Sequence, residues 1–422
     1  MRAPSLRWLI LSLLCLSTVI NYVDRQALAV VVPSLRAELG LSSVDYGTIT
    51  TFFLIAYTIA QLGAGVLIDR LGTRLGFVIF IVVWSVAAMA HAFAQGALSL
   101  GIFRFILGAG EAGNWPAGGK AIAEWFPKAR RAFGMAVFDG GSAMGAVIAP
   151  PLVAALALTL GWRAAFVATG AAGLLWAVAF WIVYRKPAEH TWLSEEDRAM
   201  VLEEVEEAQQ GRSRVSLRTM LGERKLWGLM LTRSIATPVW WFYVFWLPDY
   251  LSKERGFGLK EIGMFGWIPF VTVDIGKLLG GAMSDRLLQR GYSATLARKS
   301  VMALGALAML GGVQVVAADT AAIAIAWVSL ATFGFGLWSA NILALHADLF
   351  PRHLMATAIG WTGAAASLGG SAFTYATGWV VQTSGYAPVF WTAGSAAMVA
   401  LLALIFVLGR VEQVRVPAEA LA

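Results

Sequence analysis

The 422-residue chain has one cysteine, Cys15, so an intrachain disulfide is excluded. Cys15 lies inside an apolar stretch, where nothing would stabilise a thiolate nucleophile. Charge is sparse: 14% of residues are Asp, Glu, Lys or Arg, against about 25% in soluble domains. Histidine is sparser still, with only four. His91, His190, His346 and His353 stand far apart, and no His/Asp/Glu spacing suggests a metal site. With no nucleophile–base pair at depth either, an integral-membrane enzyme is disfavoured. The chain has no Gly-rich phosphate loop, which argues against ATP-driven transport. Its net charge of +7 does not indicate nucleic acid, because the basic residues sit in short loops. No cofactor is expected, beyond a proton as coupling ion.

Apolar residues dominate at 59% of the chain. Several runs exceed about 18 residues, the signature of helices that cross a bilayer. The expectation is an all-α membrane protein of twelve spans. They fall near 8–35, 45–68, 76–95, 97–126, 131–160, 163–184, 226–252, 260–284, 298–317, 320–347, 354–383 and 387–409. The N-terminus imitates a signal peptide, but no small-residue cleavage site follows, and Asp24-Arg25 interrupts the place for one. It reads as an uncleaved first span. One long polar stretch, 185–225, divides the chain into halves at 1–184 and 226–422. Within it, Ser194-Glu195-Glu196-Asp197 opens like a capped helix, and Arg198–Gln210 continues it as an acidic amphipathic surface helix.

Lys and Arg orient the chain. Placing both termini on one side puts 22 of the 32 basic residues there, five opposite and five within spans. Both termini and the central linker are therefore expected in the cytoplasm.

An internal repeat is legible. Gly65-Val66-Leu67-Ile68-Asp69-Arg70-Leu71-Gly72-Thr73-Arg74 recurs as Gly281-Ala282-Met283-Ser284-Asp285-Arg286, 216 residues on. Glu124-Trp125-Phe126-Pro127 recurs as Asp348-Leu349-Phe350-Pro351, 224 residues on. Two motifs at nearly one offset imply duplicated six-helix halves, an arrangement that places substrate sites near the midplane. Asp69, Arg70, Arg74, Asp285 and Arg286 read as gate residues whose charge pairs and helix-end contacts hold one side shut.

The Gly-x-x-x-Asp-Arg-x-Gly-x-Arg loop resembles the signature of the major facilitator superfamily. Four further segments are similar to the anion:cation symporter family: Asn21-Tyr22-x-Asp24-Arg25, Gly110–Gly118, Glu124–Pro127 and Pro238-x-Trp240-Trp241-Phe242-Tyr243. Among its members the chain most resembles bacterial hexuronate transporters. That resemblance implies a small anionic sugar acid as substrate, galacturonate or glucuronate, with an aldonate, an aldarate or another carboxylate as the alternative. It also implies that Asp24 and Glu111 carry the proton and that Arg25 contacts substrate. Asp139 stands where relatives more often show asparagine, which leaves the two-acid count open.

The residues support a charged site independently. An ionised side chain at mid-helix costs roughly 2.5–3.5 kcal/mol on insertion scales, so Asp24-Arg25 needs a partner and a purpose. At about 1.5 Å per residue, Asp24 and Arg25 lie roughly 4–5 Å outward of the midplane, Arg104 roughly 10 Å outward and Glu111 near the centre. Arg104 and Glu111, seven residues apart, share a helix face, with Gly108 between them for close helix approach. The four groups form one network if spans one and four face one cavity; the alternative is a tether between helices. Tyr22 and Tyr57 are candidates for substrate hydroxyls, and Asn114, in the Gly110–Gly118 motif, joins the substrate-binding set. Span seven carries Trp240, Trp241, Phe242, Tyr243, Phe245 and Trp246. Most of these read as packing or lipid-facing, with Trp241 chosen as a stacking surface. Trp338 and Asn341, one turn apart, pair a ring with an amide. Asp274 and Lys277 read as a self-neutralising pair or as a second site, and Arg233 and Lys120 as inner-gate candidates. A channel would predict a symmetric oligomeric pore, and two buried arginines would repel the cations of a drug antiporter.

Overall fold

A computed structural model describes residues 3–127, 130–206, 221–350 and 352–414. Arg2, Lys128, Arg212, Arg214, Arg218, Pro351, Arg415 and the last part of the amphipathic helix, 207–210, lie outside the described residues.

In hydrocarbon a backbone must satisfy its own hydrogen bonds, so apolar runs become helices. The described residues contain helices and no strand. The first half holds α1 (Ala3–Leu39), α2 (Ser43–Leu71), α3 (Thr73–Ala90), α4 (Ala97–Glu111), α5 (Asn114–Trp125), α6 (Arg131–Leu160) and α7 (Trp162–Val183). After α8 (Glu195–Glu206) come α9 (Arg224–Arg255), α10 (Leu259–Phe265), α11 (Ile268–Gln289), α12 (Ala294–Met309), α13 (Ala321–Leu349), α14 (Arg352–Ser384) and α15 (Ala387–Ala403). Among the described residues nine helical stretches are long and apolar enough to cross a membrane. The remaining three expected spans are helical but fall short of that measure. Span four breaks between α4 and α5, and span seven (α9) carries charge at both ends. Span eleven is α14.

Two links are as tight as a single residue. Gly72 joins α2 to α3 at φ 81°, and Gly161 joins α6 to α7 at φ 85°. A side chain is strained in that left-handed region, which is why glycine stands there. The predicted cap of α8 is present: Ser194 Oγ accepts from the Asp197 N–H at 3.1 Å. Just before it, His190 sits against Trp125, and burial pushes its imidazole below the ordinary value.

The chain forms two compact units. Unit 1 comprises Met1–Leu41, Phe52–Gly211 and Ile262–Met264; unit 2 comprises Ser42–Thr51, Arg212–Glu261 and Phe265–Ala422. The division thus falls inside α2 and α10, and not only at the linker. In unit 1, α1 packs on α6 and α3 on α7; in unit 2, α9 packs on α14, α11 on α13 and α12 on α13. The α1–α6 and α9–α14 pairings are the same partnership in each half. Small residues permit it: a Cβ on Gly145 would lie 2.6 Å from the Val19 carbonyl oxygen, and one on Gly369 would lie 2.2 Å from that of Ser234.

Candidate functional site

The centre of unit 1 is an ion pair between α1 and the end of α4. Arg25 donates from Nε and Nη2 to a single oxygen, Oε2 of Glu111, at 2.8 and 2.7 Å. Both side chains are almost fully buried, at 2% and 0% exposure. Nη2 also donates to Asn21 Oδ1, one turn back on α1, at 3.2 Å. Oε1 of Glu111 is buried and has no hydrogen-bond partner among the described residues. Glu111 is therefore held by one oxygen, and the other is unengaged.

Local backbone chemistry explains where Glu111 sits. It is the last residue of α4, and the helix restarts only at Asn114. A Cβ on Gly110 would lie 2.7 Å from the Trp84 nitrogen, and one on Gly113 would overlap the Phe80 ring. The break is thus a close helix approach that only glycine permits, at the depth where a carboxylate is needed. Discontinuous helices at such depth are tolerated where they line a cavity or pack in protein. One turn earlier, a Cβ on Gly108 would lie 2.4 Å from the Phe53 carbonyl oxygen, so the approach expected at this glycine is made to α2.

Three aromatic rings surround the Arg25 guanidinium. Its carbon lies 4.8 Å from the ring centre of Tyr22, 5.3 Å from Phe53 and 5.3 Å from Tyr57. Such faces stabilise a desolvated cation by about 0.5–2 kcal/mol each. Tyr22 and Tyr57 thus lie against Arg25. Phe53 and Asn21 join them although neither was chosen from the sequence; the neighbouring motif residues were the available signal.

Arg104 reaches the same place by another route. Its Nη2 donates to the Arg25 carbonyl oxygen at 3.2 Å, and its guanidinium lies 5.8 Å from the Phe53 ring. Asp24 points elsewhere. It is 1% exposed, and neither carboxylate oxygen has a hydrogen-bond partner among the described residues. Thr169 on α7 and Trp84 on α3 face it, with Arg104 and Glu111 also within electrostatic reach. The four charged groups do share one region of unit 1, as expected, but Asp24 is turned towards α3 and α7.

Asn114 uses both ends of its amide within unit 1 and keeps one N–H and one lone pair for other partners. It accepts from Ser17 Oγ at 3.0 Å and donates to Thr18 Oγ1 at 3.2 Å, tying α5 to α1. In unit 2, Trp241 stacks on Phe245 at 5.5 Å and packs against Gly370. Trp338 and Asn341 are both buried, and Asn341 Nδ2 donates to the Leu337 and Gly280 carbonyls. Asp274 and Lys277 form the i,i+3 pair, at 3.5 Å.

The residues expected at the gate find partners other than their sequence neighbours. Asp69 pairs with Lys120 at 2.6 Å, and Asp285 pairs with Arg298 at 3.2 Å. Arg298 also holds Asp348 at 3.0 Å. Among the described residues, Arg70 and Arg286 form no ion pair. The reason is geometric: adjacent residues on a helix point about 100° apart and do not face each other. Arg74 bonds the Trp181 carbonyl and lies over its ring at 4.1 Å. Its contact is cation–π and backbone, not a charge pair.

Comparison with known proteins bears on the whole chain. The family model described as Major Facilitator Superfamily matches residues 14–374. A hexuronate transporter from Escherichia coli (strain K12) is 35% identical over 393 residues, covering 92% of this chain and 91% of that one. A galacturonate transporter from Dickeya chrysanthemi is 36% identical over 314 residues, covering 74% of this chain and 91% of that one. Among solved structures, an inward-facing, unoccupied bacterial homolog of the human lysosomal transporter Spinster superposes with a TM-score of 0.74. It shares 18% identity and covers 96% of this chain and 95% of that one, a likeness of fold alone.

Proposed function

The chain belongs to the Major Facilitator Superfamily, and from that premise we propose that it imports a sugar acid together with protons, by alternating access. It is a transporter and not an enzyme. The proposed substrate is a hexuronate such as galacturonate or glucuronate, the class named for its relatives. The proposed setting is the bacterial cytoplasmic membrane, with both termini inside and the protein monomeric.

The observation that carries this reading is the one-oxygen grip of Arg25 on Glu111. Arginine stays charged and can hold a carboxylate through two parallel N–H donors. A sugar-acid carboxylate arriving at Arg25 competes with Oε2 for those donors. Once displaced, Glu111 is a buried anion without its partner, a state that costs several kcal/mol. A proton on Glu111 removes that cost, and Oε1 is the oxygen left open to receive it. Substrate and proton therefore each favour the other, which is symport by linkage. Asp24, buried next to the pair, is the proposed second proton carrier. The inward proton gradient and inside-negative potential drive the cycle.

Tyr22, Tyr57 and Asn114 are proposed to meet sugar hydroxyls. Trp241, Trp338 and Asn341 are proposed to supply stacking surface and an amide for the sugar, and Arg104 to help neutralise the anion. Asp69, Arg70, Arg74, Asp285 and Arg286, with Lys120 and Arg298, are the proposed gate.

The test is uptake of labelled galacturonate into proteoliposomes under an imposed inward proton gradient. Accumulation that collapses with a protonophore supports the reading. Gradient-independent equilibration contradicts the coupling, and accumulation of only some other carboxylate contradicts the substrate.

A further inference from the structure

The geometry points to a second anion-binding site, built wholly within unit 2 around Arg233, with a carboxylate as the class of ligand. Arg233 lies on α9, nine residues after its first residue, Arg224, within expected span seven. Its Nη1 donates to Thr362 Oγ1 on α14 at 2.9 Å. The same hydroxyl lies 2.8 Å from His346 Nε2 on α13. His346 Nδ1 lies 2.9 Å from the Ile342 carbonyl oxygen. That contact needs a proton on Nδ1, and the Thr362 hydroxyl also lies 2.9 Å from the Ala358 carbonyl oxygen one turn back, so that carbonyl and His346 Nε2 compete for its one proton. Three helices thus contribute one cluster: the Arg233 guanidinium, the Thr362 hydroxyl and the His346 imidazole.

Arg233 is the one member of this cluster with a permanent charge. Among the described residues Arg233 forms no ion pair, and its Nε is buried without a hydrogen-bond partner. This is the reverse of Arg25, whose Nε and Nη2 both reach a carboxylate. A cation at such depth is retained in membrane proteins when it faces a partner or a water-filled cavity. Arg233 as a residue is partly buried, while its Nε is buried and unpartnered. An anion that reaches that edge meets Nε and the outer amino group together, the two-donor edge that matches a carboxylate. Thr362 and His346 are fully buried and fix the third nitrogen, so the edge is presented in one orientation. Close packing of α14 on α9 at Gly369 and Ser234 holds that frame. The proposal goes beyond the transport reading and does not depend on proton coupling.

The test is thermal unfolding of the full-length protein in detergent, titrated with D-glucuronate and, separately, with chloride at equal ionic strength. Arg25→Gln removes the unit 1 guanidinium. In that variant a saturable rise in melting temperature with glucuronate is expected to persist. In Arg25→Gln with Arg233→Gln the rise is expected to vanish, and with Arg233→Lys it should remain but require at least tenfold more anion. Thr362→Val serves if the Arg233 variants do not fold, with a several-fold weaker response expected. A response to glucuronate alone assigns the site to organic carboxylates, and a response to both anions assigns it to small anions in general. Loss of all response in Arg25→Gln alone overturns the proposal, as does an unchanged response in the Arg25/Arg233 double variant.

Discussion

Two regions of the chain occupy corresponding places and carry opposite chemistry. The 216-residue offset that relates Asp69 to Asp285 carries Arg25 onto Trp241, and the 224-residue offset of the other repeat carries Glu111 onto Phe335. Where unit 1 has a buried ion pair, unit 2 has stacked rings: Trp241 on Phe245, and Trp240 on Phe335 at 5.5 Å and 7°. The helix partnerships are shared and the site residues are not. A duplicated scaffold therefore fixes where side chains stand and leaves their chemistry free, which is how one fold hosts many functions. At the positions these offsets relate, unit 1 carries a buried ion pair and unit 2 carries aromatic rings, while the charge of unit 2 sits elsewhere, on Arg233 among others.

Substitutions sharpen that contrast in order of size. Arg25→Gln leaves Glu111 buried without its partner, a loss of about 3–5 kcal/mol. Galacturonate uptake by the reconstituted variant is expected to fall by two orders of magnitude or more. A fall of less than tenfold would make the pair a simple tether. Trp241→Leu removes a stacking face worth about 1.4 kcal/mol, so KM for uptake is expected to rise about tenfold with little change in maximal rate. If Trp241→Leu were as damaging as Arg25→Gln, the division between ionic and aromatic halves would fail.

The charge pairs of the proposed gate contrast in the same way. Arg298→Gln breaks contacts with Asp285, Asp348 and Ser284 at once. The expected cost is about 1–2 kcal/mol, read as a fall of several degrees in melting temperature. Asp69→Asn removes a single pair whose acid is 74% exposed. Exposed pairs contribute below about 1 kcal/mol and are screened by salt. Uptake should change less than fivefold, and high salt should erase the difference. Equal damage from the two would show that the gates are balanced and that exposure is a poor guide here.

How much of this was legible in the sequence depends on what a helix position encodes. Span ranges and residue depth follow from hydropathy and rise per residue, so the meeting of Arg25 with Glu111 could be anticipated. Direction around the helix axis is not encoded by depth. That is why Asp24, placed between Arg104 and Glu111 by height, turns instead towards Thr169 and Trp84. Asp69 and Lys120 were each legible as gate candidates, but their pairing across about fifty residues was not, because sequence spacing does not say which helices meet. Phe53 was invisible because a phenylalanine in an apolar helix has no distinguishing signal until a guanidinium is seen over its face. Arg233 was noticed as a buried charge, but its neutral partners Thr362 and His346 emerge only when three helices are brought together.

The central claim is that Glu111 couples the proton to the anion through Arg25, and one substitution separates the two. Glu111→Gln preserves shape and an oxygen for Arg25 but cannot take up and release a proton. Net galacturonate uptake driven by an imposed proton gradient should fall to background in this variant, while exchange of labelled for unlabelled galacturonate across the proteoliposome membrane continues. Gradient-driven accumulation at the wild-type rate in Glu111→Gln would contradict the account and leave the Arg25–Glu111 pair a structural bond.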